Sequence, residues 1–286
     1  DFNSKRVWGP APNYPNVLAV PHEARELITI AGPCSIESPE QVEIIAKELA
    51  RVGVTYMRGG IFRAGTYPKD DFGMKHELMN EWRKITLRYK LKIIIEIIDR
   101  NDLALLTEVA DAIQIGARHM QDYALLDEIG EITIPVTIKR NMGATLDEFL
   151  GAVEYLVRGG KRNVILIERG STSPMNHIRW ELSCSTIASV KRMTGLPILV
   201  DAAHGSGRRD LVEPLTLAGI AAGADGFLVE VHPTPEESIS DADQALPMEN
   251  YERLFKAARR IKEVVIESIK PTSNRGLESP VTVRRK

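Results

Sequence analysis

The chain is poor in cysteine: Cys34 and Cys184 are the only two among 286 residues. A disulfide scaffold is excluded, and a reducing, cytoplasmic setting is expected. No stretch reaches the roughly 18 consecutive apolar residues of a membrane span. The N-terminal segment also lacks the apolar centre of a secretion signal. Charge of one sign is missing as well. The 37 Lys and Arg stand against 39 Asp and Glu, a net charge of −2. With no global basic field, neither nucleic acid nor a membrane is an expected partner. Any affinity for anions must come from a local cluster. There is no low-complexity tract, and no G-x-G-x-x-G. Gly59-Gly60 lacks the spacing, and Gly205-Ser206-Gly207 follows a late apolar run and leads into Arg208-Arg209. Dinucleotide binding is a weak reading on these grounds.

What is present is a rhythm. Short β-branched runs recur at Leu27–Ala31, Val54–Met57, Lys92–Ile95, Ala112–Ile115, Pro135–Ile138, Val164–Ile167, Pro197–Val200 and Gly226–Val229. Helical spacing lies between them, as in Val42, Ile45, Ala46 and Leu49, or Leu146, Phe149, Leu150, Val153 and Leu156. Ser38-Pro39 and Thr145 with Glu148 read as helix starts. Eight strands alternating with helices predict an α/β protein, a closed (β/α)8 TIM barrel. Its length suits one such domain of about 250 residues. Residues 1–26 read as a short N-terminal arm, 27–270 as the barrel and 271–286 as a disordered tail. No appended regulatory domain of ordinary size is expected.

In such barrels the chemistry sits past the C-terminal ends of the strands. Here Cys34, His204, Glu230 and Asp241 follow the first, seventh and eighth runs, which closure makes neighbours. One thiolate, one imidazole and two carboxylates suit a divalent Mn, Fe, Co or Zn ion. Each residue alone has a plainer reading: a lone cysteine often fills a core, and a lone histidine often serves a local hydrogen bond. Arg58, Arg63, Arg118, Lys139, Arg140, Arg169, Arg179, Arg208 and Arg209 also lie in post-strand segments. A ring of cations there points to an anion, although Arg208 and Arg209 are as readily solvated charges at a helix start. Glu96 and Asp201 end their runs and either pair with these cations or hold water and protons. His232 shares a strand face with Glu230 and reads equally as acid/base group or structural hydrogen-bonder.

The motifs Ala31-Gly32-Pro33-Cys34-Ser35, Arg58-Gly59-Gly60, Gln114-Ile115-Gly116-Ala117-Arg118, Lys139-Arg140, Glu168-Arg169-Gly170, Asp201-Ala202-Ala203-His204-Gly205 and Glu230-Val231-His232-Pro233 with Ser240-Asp241 occur in this order. Together they resemble the type I, β-subtype 3-deoxy-D-arabino-heptulosonate 7-phosphate (DAHP) synthases over residues 27–265. The resemblance implies condensation of phosphoenolpyruvate with erythrose 4-phosphate, the entry step to aromatic amino acid synthesis. It implies a metal on Cys34, His204, Glu230 and Asp241. It places Arg118, Lys139 and Arg179 on phosphoenolpyruvate, Glu96 near the attacking water, and Arg58, Thr66 and Asp201 among the substrate contacts. Arg63, Glu96, Lys139 and His204 are the implied catalytic groups. A homodimer or homotetramer is implied as well.

One stretch departs from the family. After Arg58-Gly59-Gly60 the usual Lys-Pro-Arg-Thr is replaced by Arg63-Ala64-Gly65-Thr66. Arg63 stands where the family has a catalytic lysine and keeps charge but scarcely deprotonates. Gly65 replaces the arginine that grips the acceptor's phosphate. His119 and Asp122 stand where asparagines are usual. Three readings remain open: a DAHP synthase that tolerates these changes, a paralogue with another aldehyde acceptor, and a catalytically silent binder of phosphorylated metabolites.

Overall fold

The structure, a computed structural model, describes residues 26–54, 56–61, 76–161 and 163–269. Nearly all of the expected arm, the segment with Arg63, Gly65 and Thr66, and the tail lie outside the described residues.

Eight strands form a closed parallel barrel in chain order: β1 (Ile28–Gly32), β2 (Tyr56–Gly59), β3 (Lys92–Ile97), β4 (Ala112–Ile115), β5 (Val136–Lys139), β6 (Val164–Glu168), β7 (Ile198–Val200) and β8 (Gly226–Glu230). Closure pairs β8 with β1, Gly32 opposite Glu230. Around them run α1 (Pro39–Val52), α2 (His76–Arg88), α3 (Leu103–Val109), α4 (Tyr123–Glu131), α5 (Leu146–Val157), α6 (Cys184–Met193), the short α7 (Ala202–Ser206), α8 (Arg209–Ala221) and α9 (Met248–Ile269). The predicted barrel is thus the observed one.

Both predicted helix starts are present. The Ser38 side chain accepts a hydrogen bond from Gln41 N at 3.2 Å, with Pro39 in the first helical position. Thr145 and Glu148 form a reciprocal capping box at α5. Each satisfies backbone N–H groups that the first turn leaves without partners.

The barrel's interior is tiered. Ile30, Ile94, Ala112, Ile167, Leu199 and Leu228 form an apolar cluster separate from the larger one. Alternation puts residue i+2 on the same face. One step up the strands therefore come Gly32, Glu96, Gln114, Arg169, Asp201 and Glu230. Arg58 follows Tyr56 in the same way. An apolar plug thus floors a polar, charged tier. Burying each large aliphatic in that plug contributes roughly 1.5–3 kcal/mol, which stabilises the floor under expensive charges.

The strands end later than the sequence pattern suggests. Arg58, Glu96, Lys139, Glu168 and Glu230 are members of β2, β3, β5, β6 and β8. The β-branched pattern stops where the side chains turn polar, but the backbone ladder continues. Glu96 pairs with Gln114, and Lys139 with Ile167. These charged groups therefore stand on fixed backbone. Gly32 ends β1 at φ 154, where a Cβ would collide with the Arg58 backbone oxygen. Only glycine lets β1 and β2 approach that closely.

Candidate active site

Three of the four residues read as metal ligands converge. Cys34, Glu230 and Asp241 each present a ligand atom, all within 4.8 Å of one another. The Cys34 thiol donates to Asp241 Oδ2 at 2.9 Å. His204 falls outside that group, but its Nε2 lies 3.4 Å from Glu230 Oε1. The other ring nitrogen, Nδ1, lies 2.9 Å from Asp201 Oδ2. This carboxylate–imidazole arrangement fixes the ring and leaves Nε2 facing the cluster. Burial and the charges of Glu230 and Asp241 push the Cys34 thiol up, against the pull of Arg58. Burial opposes ionisation of Asp241 too, but the thiol's hydrogen bond, His204, Arg179 and Arg58 hold it below its usual range. A thiol and two carboxylates converge at one point, with the His204 imidazole beside them. The donor set therefore fits a divalent ion of borderline softness.

Arg58 is buried, with Nη1 2.7 Å from Glu230 Oε1. Burial disfavours its charge, but Glu230, Cys34, Glu96 and Asp201 outweigh that and strengthen it. Gln244 Nε2 donates to the other Glu230 oxygen at 2.6 Å. Arg58 was expected to touch substrate; what the geometry shows is a grip on Glu230, with Nε making no hydrogen bond among the described residues.

Asp201, also expected at the substrate, is fully buried. It lies 3.0 Å from Lys139 Nζ and accepts from His204 N at 3.1 Å. Burial would raise its carboxyl, yet His204 and Lys139 hold it far below the ordinary range. Asp201 thus stands behind two expected site residues.

The cations divide into two sorts. Arg140 is buried in a two-pronged pair with the fully buried Glu168, Nε to Oε2 at 2.6 Å and Nη2 to Oε1 at 2.9 Å, and also donates to Ala144 O. Arg208 pairs with Asp210 and Arg209 with Glu236. Each of these three has a carboxylate partner within the protein. Arg169 differs. It is 6% exposed, and its Nε and Nη1 make no hydrogen bond among the described residues. Its guanidinium stands 5.8 Å from the Trp180 ring centre. Burial, then Arg179 and Arg118 as like charges, lower its affinity for a proton, against the pull of Asp201 and Glu168. Arg118, Arg169 and Arg179 therefore share one positive field. Arg118 lies in the 3-10 turn Ala117–His119 that follows β4. Arg179 Nη1 lies 3.9 Å from Asp241 Oδ1 and so borders both the cationic field and the ligand cluster.

Glu96 accepts from Gln114 Nε2 at 2.5 Å. Gly116 leaves room for it: a Cβ there would collide with the Glu96 carboxylate. Asp122, which stands where an asparagine is usual in the family, caps α4, accepting from Leu125 N at 3.1 Å. His232 serves local structure, with Nδ1 2.7 Å from Thr234 O.

Gln114 and Gln244 were not singled out as site residues from the sequence, and Arg169 was named there only as one of nine post-strand cations. The signal for Arg169 was available: Ile165, Ile167 and Arg169 share one strand parity. Gln244 offered none, since a loop brings it to Glu230.

The comparisons agree with this geometry. The model of the DAHP synthetase I family matches residues 22–267. A phospho-2-dehydro-3-deoxyheptonate aldolase of Thermotoga maritima is 38% identical over 236 residues, 82% of this chain and 70% of that one. A 2-dehydro-3-deoxyphosphooctonate aldolase of Desulfotalea psychrophila is 27% identical over 275 residues, 90% and 96% of the two chains. The crystal structure of the Thermotoga maritima DAHP synthase superposes with a TM-score of 0.80 at 37% identity, covering 84% of this chain and 70% of that one. With the barrel, the ligand cluster and the ordered motifs all in place, this chain belongs to the DAHP synthetase I family of enzymes.

Proposed function

We propose that this chain condenses phosphoenolpyruvate with erythrose 4-phosphate in a metal-dependent reaction, giving DAHP and phosphate. The observation that supports it most is that Arg118, Arg169 and Arg179 follow β4 and β6 on the same rim as the Cys34–Glu230–Asp241 cluster, with Arg179 Nη1 3.9 Å from Asp241 Oδ1.

Arg118, Arg169, Arg179 and Lys139 bind the donor's phosphate and carboxylate and hold it in a near-attack geometry. Arg169 meets this anion already desolvated, so its charge acts at close to full strength. Cys34, His204, Glu230 and Asp241 hold the metal, which when bound supplies Lewis-acid polarisation of the aldehyde oxygen. The donor's C3 then bonds to the aldehyde carbon, and C2 becomes cationic. Water adds at C2 with Glu96 taking its proton. The C2 hydroxyl then gives up its proton to the leaving phosphate as the C2–O bond to phosphate breaks, which leaves a C2 ketone, and the proton held by Glu96 passes to the aldehyde oxygen. Atoms balance with one water consumed.

A second reading concerns the acceptor alone. The relatives include an enzyme named for a seven-carbon product and others named for an eight-carbon product. A three-carbon donor makes these from a four-carbon and a five-carbon aldose phosphate. Arg63 and Gly65 alter the acceptor half of the family motif while the donor half remains, which favours a changed acceptor.

The test is phosphate release from phosphoenolpyruvate with Mn present, against erythrose 4-phosphate, a five-carbon aldose phosphate, other aldehydes and no aldehyde. Release with erythrose 4-phosphate alone supports the main reading. Release with another aldehyde alone supports the second. Silence with every aldehyde overturns both and returns the chain to a metabolite binder. R63K with G65R then separates erosion from replacement. A strong gain with erythrose 4-phosphate means an eroded acceptor site, and no gain discards erosion.

A further inference from the structure

The expected metal ligands come from distant parts of the chain. Cys34 lies between β1 and α1, and Asp241, 207 positions on, lies between β8 and α9. No strand carries Asp241. Its backbone takes φ 51, a left-handed conformation that costs a residue other than glycine. Such a conformation persists only where its surroundings enforce it.

Asp241 O accepts from Gln244 N and Ala245 N, both at 3.1 Å, and Glu37 reaches the two residues before Ser240. Its Oε1 accepts from Ile239 N at 3.1 Å and lies 3.4 Å from Ser238 Oγ. Its Oε2 lies 3.5 Å from His232 Nε2. Its own N–H donates to Gln41 Oε1 at 3.0 Å, which fastens it to the first turns of α1. A second fastening lies beside it, where Ser35 Oγ and Ser240 Oγ share a hydrogen bond of 2.7 Å. Ser238 Oγ also donates to Ser240 O at 2.7 Å, bracing the turn just before Asp241.

We propose that Glu37 is a positioning residue for the metal centre. It clamps the Asp241 loop to the Cys34 segment, so that ligands following the first and last strands stand together before an ion arrives. The inference rests on the reading of Cys34, His204, Glu230 and Asp241 as metal ligands. The physical ground is preorganisation: a loop that must be ordered on binding subtracts its ordering cost from affinity, whereas a loop already held does not. Glu37 touches none of the four ligand side chains. It acts through the backbone of Ile239 and through Ser238 and His232.

The test is Co²⁺ titration of the metal-free full chain, followed by calorimetry and by thiolate-to-cobalt absorption, with thermal unfolding of the metal-free protein alongside. E37A is expected to weaken Co²⁺ affinity by about 10-fold to 100-fold. E37Q keeps an oxygen acceptor for Ile239 N and is expected to recover most of that loss. A merely structural role would lower the metal-free unfolding temperature and leave Co²⁺ affinity where it was. S35A combined with S240A removes the second fastening and is expected to weaken binding several-fold, which also serves if E37A fails to fold. Wild-type affinity in E37A, or in the serine pair when E37A does not fold, overturns the clamp. A wild type that takes up no Co²⁺, or whose absorption survives C34S, overturns the ligand reading and the clamp with it.

Discussion

Lys139 Nζ stands 3.0 Å from Asp201 Oδ2, both side chains almost wholly buried, and the same carboxylate meets His204 Nδ1 at 2.9 Å. One carboxylate thus ties a cation of the proposed donor site to an imidazole of the proposed metal centre. Removing its charge leaves Lys139 buried without a counter-ion, a situation that costs about 3–5 kcal/mol. D201N is expected to lower the unfolding temperature and to weaken metal binding about tenfold or more. Calorimetry on both properties checks this; D201N with unchanged metal affinity would remove Asp201 from the centre.

The same pair sets an acid dependence. His204 and Lys139 pull the Asp201 carboxyl below its ordinary value near 3.8 against the effect of burial. A depressed carboxyl contributes stability that is complete above the unfolded value and is lost as pH falls toward the folded one. Wild-type stability should therefore decline below about pH 4 more steeply than that of D201N. Urea midpoints between pH 5 and the lowest pH at which the fold survives decide the point.

Arg169 is costly where it stands, since it is buried with Nε and Nη1 making no hydrogen bond among the described residues. R169M should leave the unfolding temperature unchanged or raised. Losing a buried cation from an anion site costs about 2–5 kcal/mol, so kcat/KM for phosphoenolpyruvate should fall at least about 30-fold. A variant that loses stability but keeps that kcat/KM would make Arg169 a packing residue.

Gly116 has φ −65, which any residue accepts, so its only demand is space beside Glu96. G116A should displace the Glu96 carboxylate with little backbone cost. Turnover is expected to fall by about tenfold or more, in the range ordinarily assigned to general acid–base catalysis, with the unfolding temperature nearly constant. Unchanged turnover would argue against a proton-transfer role for Glu96.

Lys161 offers a control far from the mouth. Its ammonium donates to Ile132 O and Ile134 O, and burial pulls it down to about 8 from 10.5. Between those values the unfolded chain holds a proton that the folded chain has released, so stability should rise with pH across that window. K161M should flatten the rise. Denaturant midpoints at each end of the window, for wild type and variant, give the comparison.

Strand parity carried much of the site into view. Arg58, Glu96, Asp201 and Glu230 were legible because each follows an apolar run whose alternation fixes its face. Cys34 and His204 were legible through the motifs around them. Division of labour among the cations was not. Arg140 and Arg169 follow adjacent strands in similar contexts, yet Glu168 neutralises the first while the second keeps unpaired nitrogens. Which cation a buried carboxylate reaches depends on side-chain geometry that no spacing records.

By itself, the sequence determined the barrel, since eight β-branched runs separated by helical spacing admit few other closed arrangements, and periodicity is a local property. It also determined the family, through motifs kept in order. The tertiary structure alone decided how far each strand runs, because ladder hydrogen bonds continue past the point where side chains turn polar. It alone decided that one Asp201 carboxylate pairs with both Lys139 and His204, and that Glu37 reaches the Asp241 loop. Glu37 and Ile239 lie 202 positions apart, and barrel closure, which sets β8 beside β1, brings them within hydrogen-bonding distance.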